Sequence, residues 1–206
     1  MTCLEGRLSM NLPNKLTVLR VCLIPVFLFF FFCTWLPHNY VWALIAFVGA
    51  SLTDMLDGQI ARRNNLITDF GKLMDPLADK LLVMSALACL LCAPGGVAMF
   101  WGPAGNVLSL IIIMAREFIV TAVRQLAMGK GVVIAADKWG KIKTITQMLW
   151  ISLVLLGCSL IWANMEPWAY SAWEMLHTVL FWCVLFFTVF SGVNYVWKNR
   201  ELFADA

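Results

Sequence analysis

Apolar residues crowd into six stretches of this chain, about 16–36, 40–63, 70–92, 105–128, 141–163 and 173–197, with short connections between them. Each stretch reaches the ~20 residues that a helix needs to span a hydrocarbon core. The pattern predicts an all-α integral membrane protein with six transmembrane helices. A short N-terminal cytoplasmic or interfacial segment covers 1–15, a cytoplasmic tail covers 198–206, and no repeat, low-complexity tract or linker divides the single domain expected over 1–206. Arg7, Lys15 and Arg20 precede the first apolar run in the manner of a signal peptide. That run ends in CTWLPHNY, without a small-x-small cleavage site, so an uncleaved helix is expected. Pro25 lies inside it as a candidate kink.

Composition agrees with this reading. The chain of 206 residues is 62% hydrophobic and 13% charged, about half the charged fraction of a soluble domain. The segments near 36–40, 93–104 and 164–172 contain no Lys or Arg. Positively charged flanks stay cytoplasmic, so both termini, the 62–70 turn and the 129–140 loop are expected on the cytoplasmic side. The net charge of +3 is then mainly a topology signal that also suits anionic lipid headgroups, and no nucleic-acid partner is expected. The seven cysteines lie mostly in apolar helices, where a thiol acts as a small hydrophobe. Cys89 and Cys92 form a CxxC, but no second pair completes a zinc set. His38 and His177 fall toward the outer side and read as interfacial residues.

One stretch breaks the apolar pattern. DMLDGQIARRNNLITDFGKLMDPLADK, residues 54–80, carries nine charged residues. At 3.6 residues per turn, Asp54, Asp57, Gly58, Ala61 and Arg62 share one helix face, and Gly71, Asp75, Ala78 and Asp79 share another. A short connection makes the two helices antiparallel, so four carboxylates can converge. Asp69, Lys72 and Arg63 sit at the turn and can stay wet. Asp54 lies ~12 Å inside Arg62 by helix rise, where an ionised group costs ~2.5 kcal/mol or more unless it faces a polar cavity. Two carboxylates ~5 Å apart add roughly 3 kcal/mol of repulsion at an effective dielectric near 20. Protonation relieves part of that. Bound divalent cations relieve it better, and oxygen donors favour magnesium, manganese or calcium over zinc. Gly58, Ala61 and Gly71 leave room for a flat or phosphorylated ligand, although small residues also serve close helix packing. Arg62 can fork onto phosphate oxygens.

Written out, the stretch is Asp54-x2-Asp57-Gly58-x2-Ala61-Arg62-x8-Gly71-x3-Asp75-x3-Asp79. It resembles, without a missing position, the signature of the CDP-alcohol phosphatidyltransferase family. The resemblance implies a six-helix membrane enzyme, usually a homodimer, that cleaves a CDP-linked substrate with two divalent cations, Mg2+ or Mn2+. It implies Asp54, Asp57 and Asp75 as metal ligands and Asp79 as both ligand and catalytic base. Gly58, Ala61, Arg62 and Gly71 would line the cytidine diphosphate pocket. NLPNKLTVLRVCLIPVF (11–27), AREFIVTAVRQLA (115–127) and GKIKTITQM (140–148) are similar to stretches of bacterial phosphatidylglycerophosphate synthases. Bacterial relatives often begin near Met10, so residues 1–9 read as an extension or misassigned start. The resemblance implies transfer of a phosphatidyl group from CDP-diacylglycerol to glycerol 3-phosphate.

Such an acceptor, a small dianion, requires cations beside the metals. Arg116, Arg124, Lys141 and Lys143 are the candidates, with Arg116 ~18 Å inside the cytoplasmic end of its helix by helix rise. Glu117 is a neighbour, but adjacent helical residues do not face each other, so it is not expected to pair with Arg116. Lys143, with Lys130 and Lys138, can equally be a topology marker. Asn14, Thr17 and Arg20 form a polar stripe entering the first helix, closing the CDP-diacylglycerol pocket or acting as an interfacial anchor. Two rivals remain open: the same chemistry with another alcohol, such as inositol phosphate or serine, and a divalent-cation transporter. All four acids lie toward one membrane face, which tells against a transport path.

Overall fold

The computed structural model describes residues 12–64, 69–93, 102–132, 134, 137–162 and 166–200, with backbone alone for 12–17, 54–64, 69–77, 79, 102–103 and 161–162. It is all-helical, with α1 Leu12–Phe32, α2 Asn39–Asn64, α3 Asp69–Leu91, α4 Gly102–Gly129, α5 Lys138–Trp162 and α6 Pro167–Lys198. Among the described residues, Ala104–Gly129, Lys138–Leu160 and Pro167–Lys198 are long and apolar enough to cross a membrane, and Val18–Phe32, Asn39–Thr53 and Lys80–Leu91 are shorter apolar helices. The chain is a multi-pass membrane protein.

The helices follow the apolar stretches, and their ends shift for local reasons. α1 begins at Leu12 rather than near residue 16, because Pro13 is tolerated in a first turn whose N–H groups lack intrahelical partners. It runs unbroken through Pro25 to Phe32, four residues short of the expected end. There the chain turns through 33–38, and His38 takes a left-handed φ of 55° that no helix can continue. α6 starts at Pro167 rather than near 173, again with proline in the first turn.

The chain divides into two compact units, Met1–Ser85 and Ala86–Ala206. In the first, α1 and α2 form an antiparallel hairpin. Phe31 meets Tyr40 edge-on at 5.4 Å between ring centroids, and Phe27 meets Phe47 at 6.2 Å. Ala43, Ala46 and Ala50 are buried on α2, and such small residues let helices approach where packing rather than water exclusion drives association. The Asn39 side chain closes the turn by donating to the Phe31 carbonyl at 3.1 Å.

In the second unit, α5 and α6 are antiparallel, and aromatic contacts record their register. Trp139 lies 4.9 Å from Phe190, and Trp150 lies 5.4 Å from Phe181. Beyond them Trp173 lies over Gly157 so closely that a Cβ there would fall 2.1 Å from its indole carbons. Close packing and not an interfacial setting also accounts for His177, which is buried 4.4 Å from Trp173. α4 joins α6 through Val120, Val123 and Tyr195. Cys89 is buried and Cys92 exposed, and both are free thiols.

Gly157→Leu is expected to push Trp173 off α5 and destabilise the protein by about 1–3 kcal/mol, the usual scale of overpacking. A lowered Tm in detergent, read by tryptophan fluorescence, checks this; an unchanged Tm would show that the seam yields without cost.

Candidate active site

Eight of the predicted pocket residues around the acidic signature lie on continuous helical backbone. Asp54, Asp57, Gly58, Ala61 and Arg62 belong to α2, and Gly71, Asp75 and Asp79 to α3. A separation of three residues on α2 and four on α3 places each aspartate pair on one face of its helix. The side chains of these residues, like those of Asn14 and Thr17, lie outside the described residues. The donor set itself consists of carboxylate oxygens, the hard donors that magnesium and manganese take, so its chemistry fits a divalent metal. Arg20, the described member of the first-helix stripe, is completely buried and shares the α1 face of Phe27 and Phe31. Such burial suits an interior residue better than a simple interfacial anchor.

The second unit brings two of the four predicted acceptor cations together. Lys143 Nζ and Arg116 Nη1 donate to the same oxygen, Glu117 Oε1, the arginine at 3.0 Å. Arg116 Nε and Nη2 donate to Ser191 Oγ on α6 at 3.2 and 3.0 Å. The sequence-based objection to an Arg116–Glu117 pair fails because both side chains are long enough to curve round the helix to a common point beside α5. Gly192 admits the arginine stem, since a Cβ there would lie 3.0 Å from Arg116 Cγ. One turn further, Asn194 donates to Asp137 at 3.2 Å and ties the start of α5 to α6. Arg124 and Lys141 stay exposed and are not drawn into the cluster.

Burial makes these charges count. The side chains of Lys143, Arg116 and Glu117 are 2%, 11% and 18% exposed, so solvent screens them poorly. Two unit charges 4 Å apart interact by about 4 kcal/mol at an effective dielectric of 20. A single carboxylate facing two cations turns their mutual repulsion into net attraction. Breaking a buried pair by removing one partner typically costs 3–5 kcal/mol. Lys143 thus has a partner and an interior position that a plain topology marker lacks.

The CDP-alcohol phosphatidyltransferase family model matches residues 10–190. The chain belongs to that family. Its relatives include proteins named CDP-diacylglycerol–glycerol-3-phosphate 3-phosphatidyltransferase in Bacillus subtilis (strain 168), 39% identical with 93% of this chain and 96% of the relative covered, and in Rickettsia felis, 33% identical with 96% and 99% covered. One of the same name in Pseudomonas fluorescens is 37% identical over 81% of this chain and 78% of its own.

For a CDP-alcohol phosphatidyltransferase, the acidic signature could be read from spacing, whereas Ser191 and Glu117 were missed. Glu117 is the one acidic residue in the α4 sequence, and an acid inside a spanning helix is itself a signal for a partner. Ser191 carried no such signal, because a serine in a spanning helix commonly bonds its own backbone. Nearby, Thr188 is fully buried and its hydroxyl has no hydrogen-bond partner among the described residues. Ser191→Ala should therefore cost about 1–3 kcal/mol by orphaning guanidinium N–H groups, while Thr188→Val should be neutral or stabilising. Paired Tm measurements in one detergent test the contrast, which fails if the two variants shift alike.

Proposed function

We propose that this chain transfers the phosphatidyl group of CDP-diacylglycerol to glycerol 3-phosphate, giving phosphatidylglycerol phosphate and CMP. The observation that carries this is the run of relatives so named, which align across nearly the whole chain. The cations Arg116 and Lys143, whose heads meet at one point, support a phosphorylated acceptor over serine, because guanidinium and ammonium groups are the usual partners of a phosphate. Asp54, Asp57, Asp75 and Asp79 would hold two divalent cations, Mg2+ or Mn2+. These supply Lewis-acid stabilisation of charge on the phosphoryl and leaving oxygens when bound.

The chain's own residues do the rest. Gly58, Ala61, Arg62 and Gly71 receive the cytidine diphosphate moiety, with Asn14, Thr17 and Arg20 contributing from α1, while the acyl tails remain in lipid. Arg116 and Lys143 bind the acceptor phosphate, with Arg124 and Lys141 adding positive charge at its approach. The Asp79 carboxylate takes the proton from the terminal hydroxyl of glycerol 3-phosphate. That oxygen bonds to the lipid-bearing phosphorus as the bond from this phosphorus to the CMP oxygen breaks, and CMP leaves. A base held on a helix keeps the hydroxyl within the hydrogen-bond reach that general-base catalysis requires.

The reading places the protein in the bacterial inner membrane as a homodimer of single-domain subunits, with both termini and the active site cytoplasmic. The distribution of Lys and Arg over the connecting segments supports that orientation.

Purified protein incubated with CDP-diacylglycerol and a panel of glycerol 3-phosphate, inositol phosphate and serine, with and without chelator, tests the proposal. CMP release is expected with glycerol 3-phosphate alone, abolished by chelator and restored by magnesium or manganese. Turnover with a different acceptor would reassign the substrate. Asp79→Asn is expected to lower kcat by about 100-fold or more, the scale of a lost general base, and turnover at the wild-type rate would rule out that role.

A further inference from the structure

Two observations around Glu117 go beyond the binding of phosphate by cations. First, one of its carboxylate oxygens accepts from both Arg116 Nη1 and Lys143 Nζ. The heads of two cations from different helices are thereby drawn to one point. Second, Arg116 is held on two sides. Its Nε/Nη2 edge donates to Ser191 and its Nη1 to Glu117. A guanidinium is planar with five N–H groups, so bonds on two sides fix its rotation as well as its place.

Three of those N–H groups serve Ser191 and Glu117. One on Nη1 and one on Nη2 remain, enough for the forked contact that arginine makes with phosphate. A Cβ at residue 140 would lie 3.3 Å from Nη2, so the glycine leaves that nitrogen uncrowded. Lys143, by contrast, is a flexible point charge whose direction is set by its partner. Its nearly complete burial makes pairing with the Glu117 carboxylate a support for a charged ammonium at this depth.

We propose that Glu117 is a positioning residue for the acceptor phosphate: its carboxylate sets Arg116 and Lys143 side by side, so that both cation heads address one phosphate group. The inference rests on the proposed assignment of Arg116 and Lys143 to the acceptor. Glu117 itself touches neither substrate and acts through the two cations. The alternative use of the same contact, a carboxylate that occupies the cations until phosphate displaces it, predicts the opposite sign for its removal.

The test compares wild-type, Glu117→Gln and Glu117→Asp proteins in detergent with magnesium, measuring kcat and the KM of each substrate separately. For Glu117→Gln, the KM for glycerol 3-phosphate is expected to rise at least tenfold, with the KM for CDP-diacylglycerol within twofold of wild type. Glu117→Asp keeps the charge with a shorter reach and should lie between. A general structural defect would lower kcat or folded yield without singling out one substrate, and that pattern in both variants overturns the inference. So does an unchanged KM for glycerol 3-phosphate, or a lowered one. Were Glu117→Gln not to fold, a wild-type KM in Glu117→Asp would overturn it equally. Wild-type protein that releases no CMP with glycerol 3-phosphate sinks the functional reading and the inference with it. Normal wild-type turnover beside an unaffected Glu117→Gln sinks the inference alone.

Discussion

A charge within hydrocarbon persists only where a counter-charge, a hydrogen-bonding partner or water compensates it, and the polar chemistry of this chain is organised by that constraint. In the second unit the compensation is internal. Glu117 on α4 meets Lys143 on α5, and Arg116 reaches both Glu117 and Ser191 on α6. Three apolar helices are thereby joined by one small network: α4 and α5 both pack on α6, through Tyr195, Val120 and Val123 or through aromatic seams, and the Glu117–Lys143 contact links α4 to α5 directly. In the acidic signature, the proposed compensation comes from divalent cations.

Small residues are what allow such polar groups and large rings to sit between helices. Gly192 makes room for the Arg116 stem, Gly140 lies beside its guanidinium, and Gly157 accepts the face of Trp173. In water these glycines would be weak points in a helix, since each costs about 1 kcal/mol relative to alanine. Within a bilayer the hydrophobic effect adds little to helix association, so close approach and dispersion carry more of the packing. The alanines of α2 serve the first hairpin in the same way, letting Phe27 and Phe31 settle between the helices.

Ser191 and Glu117 also explain how a spanning helix can carry an arginine at all. An isolated arginine has a strong preference for snorkelling toward water, but here α6 supplies a hydroxyl at the level where Arg116 emerges and α5 supplies a second cation to share the carboxylate. The result is a guanidinium with fixed orientation in a largely apolar setting, where each of its hydrogen bonds is stronger than it would be in water.

What could be read from residues alone was whatever depends on local repetition. Six apolar runs, helix-spaced aspartates and the absence of Lys and Arg from alternate connections are properties of sequence order, so the all-helical membrane class, the family and the acidic signature were all legible. The helix ends at Phe32 and Pro167 were less so, because a turn through His38 and a first-turn proline outweigh apolar content there. The partnership of Glu117 with Lys143, and of Arg116 with Ser191, was decided by tertiary structure: these contacts span 26 and 75 residues of chain. The burial of Arg20 and His177 and the exposure of Arg124 and Lys141 belong to the same class, since no periodicity tells a polar residue which neighbouring helix it will meet.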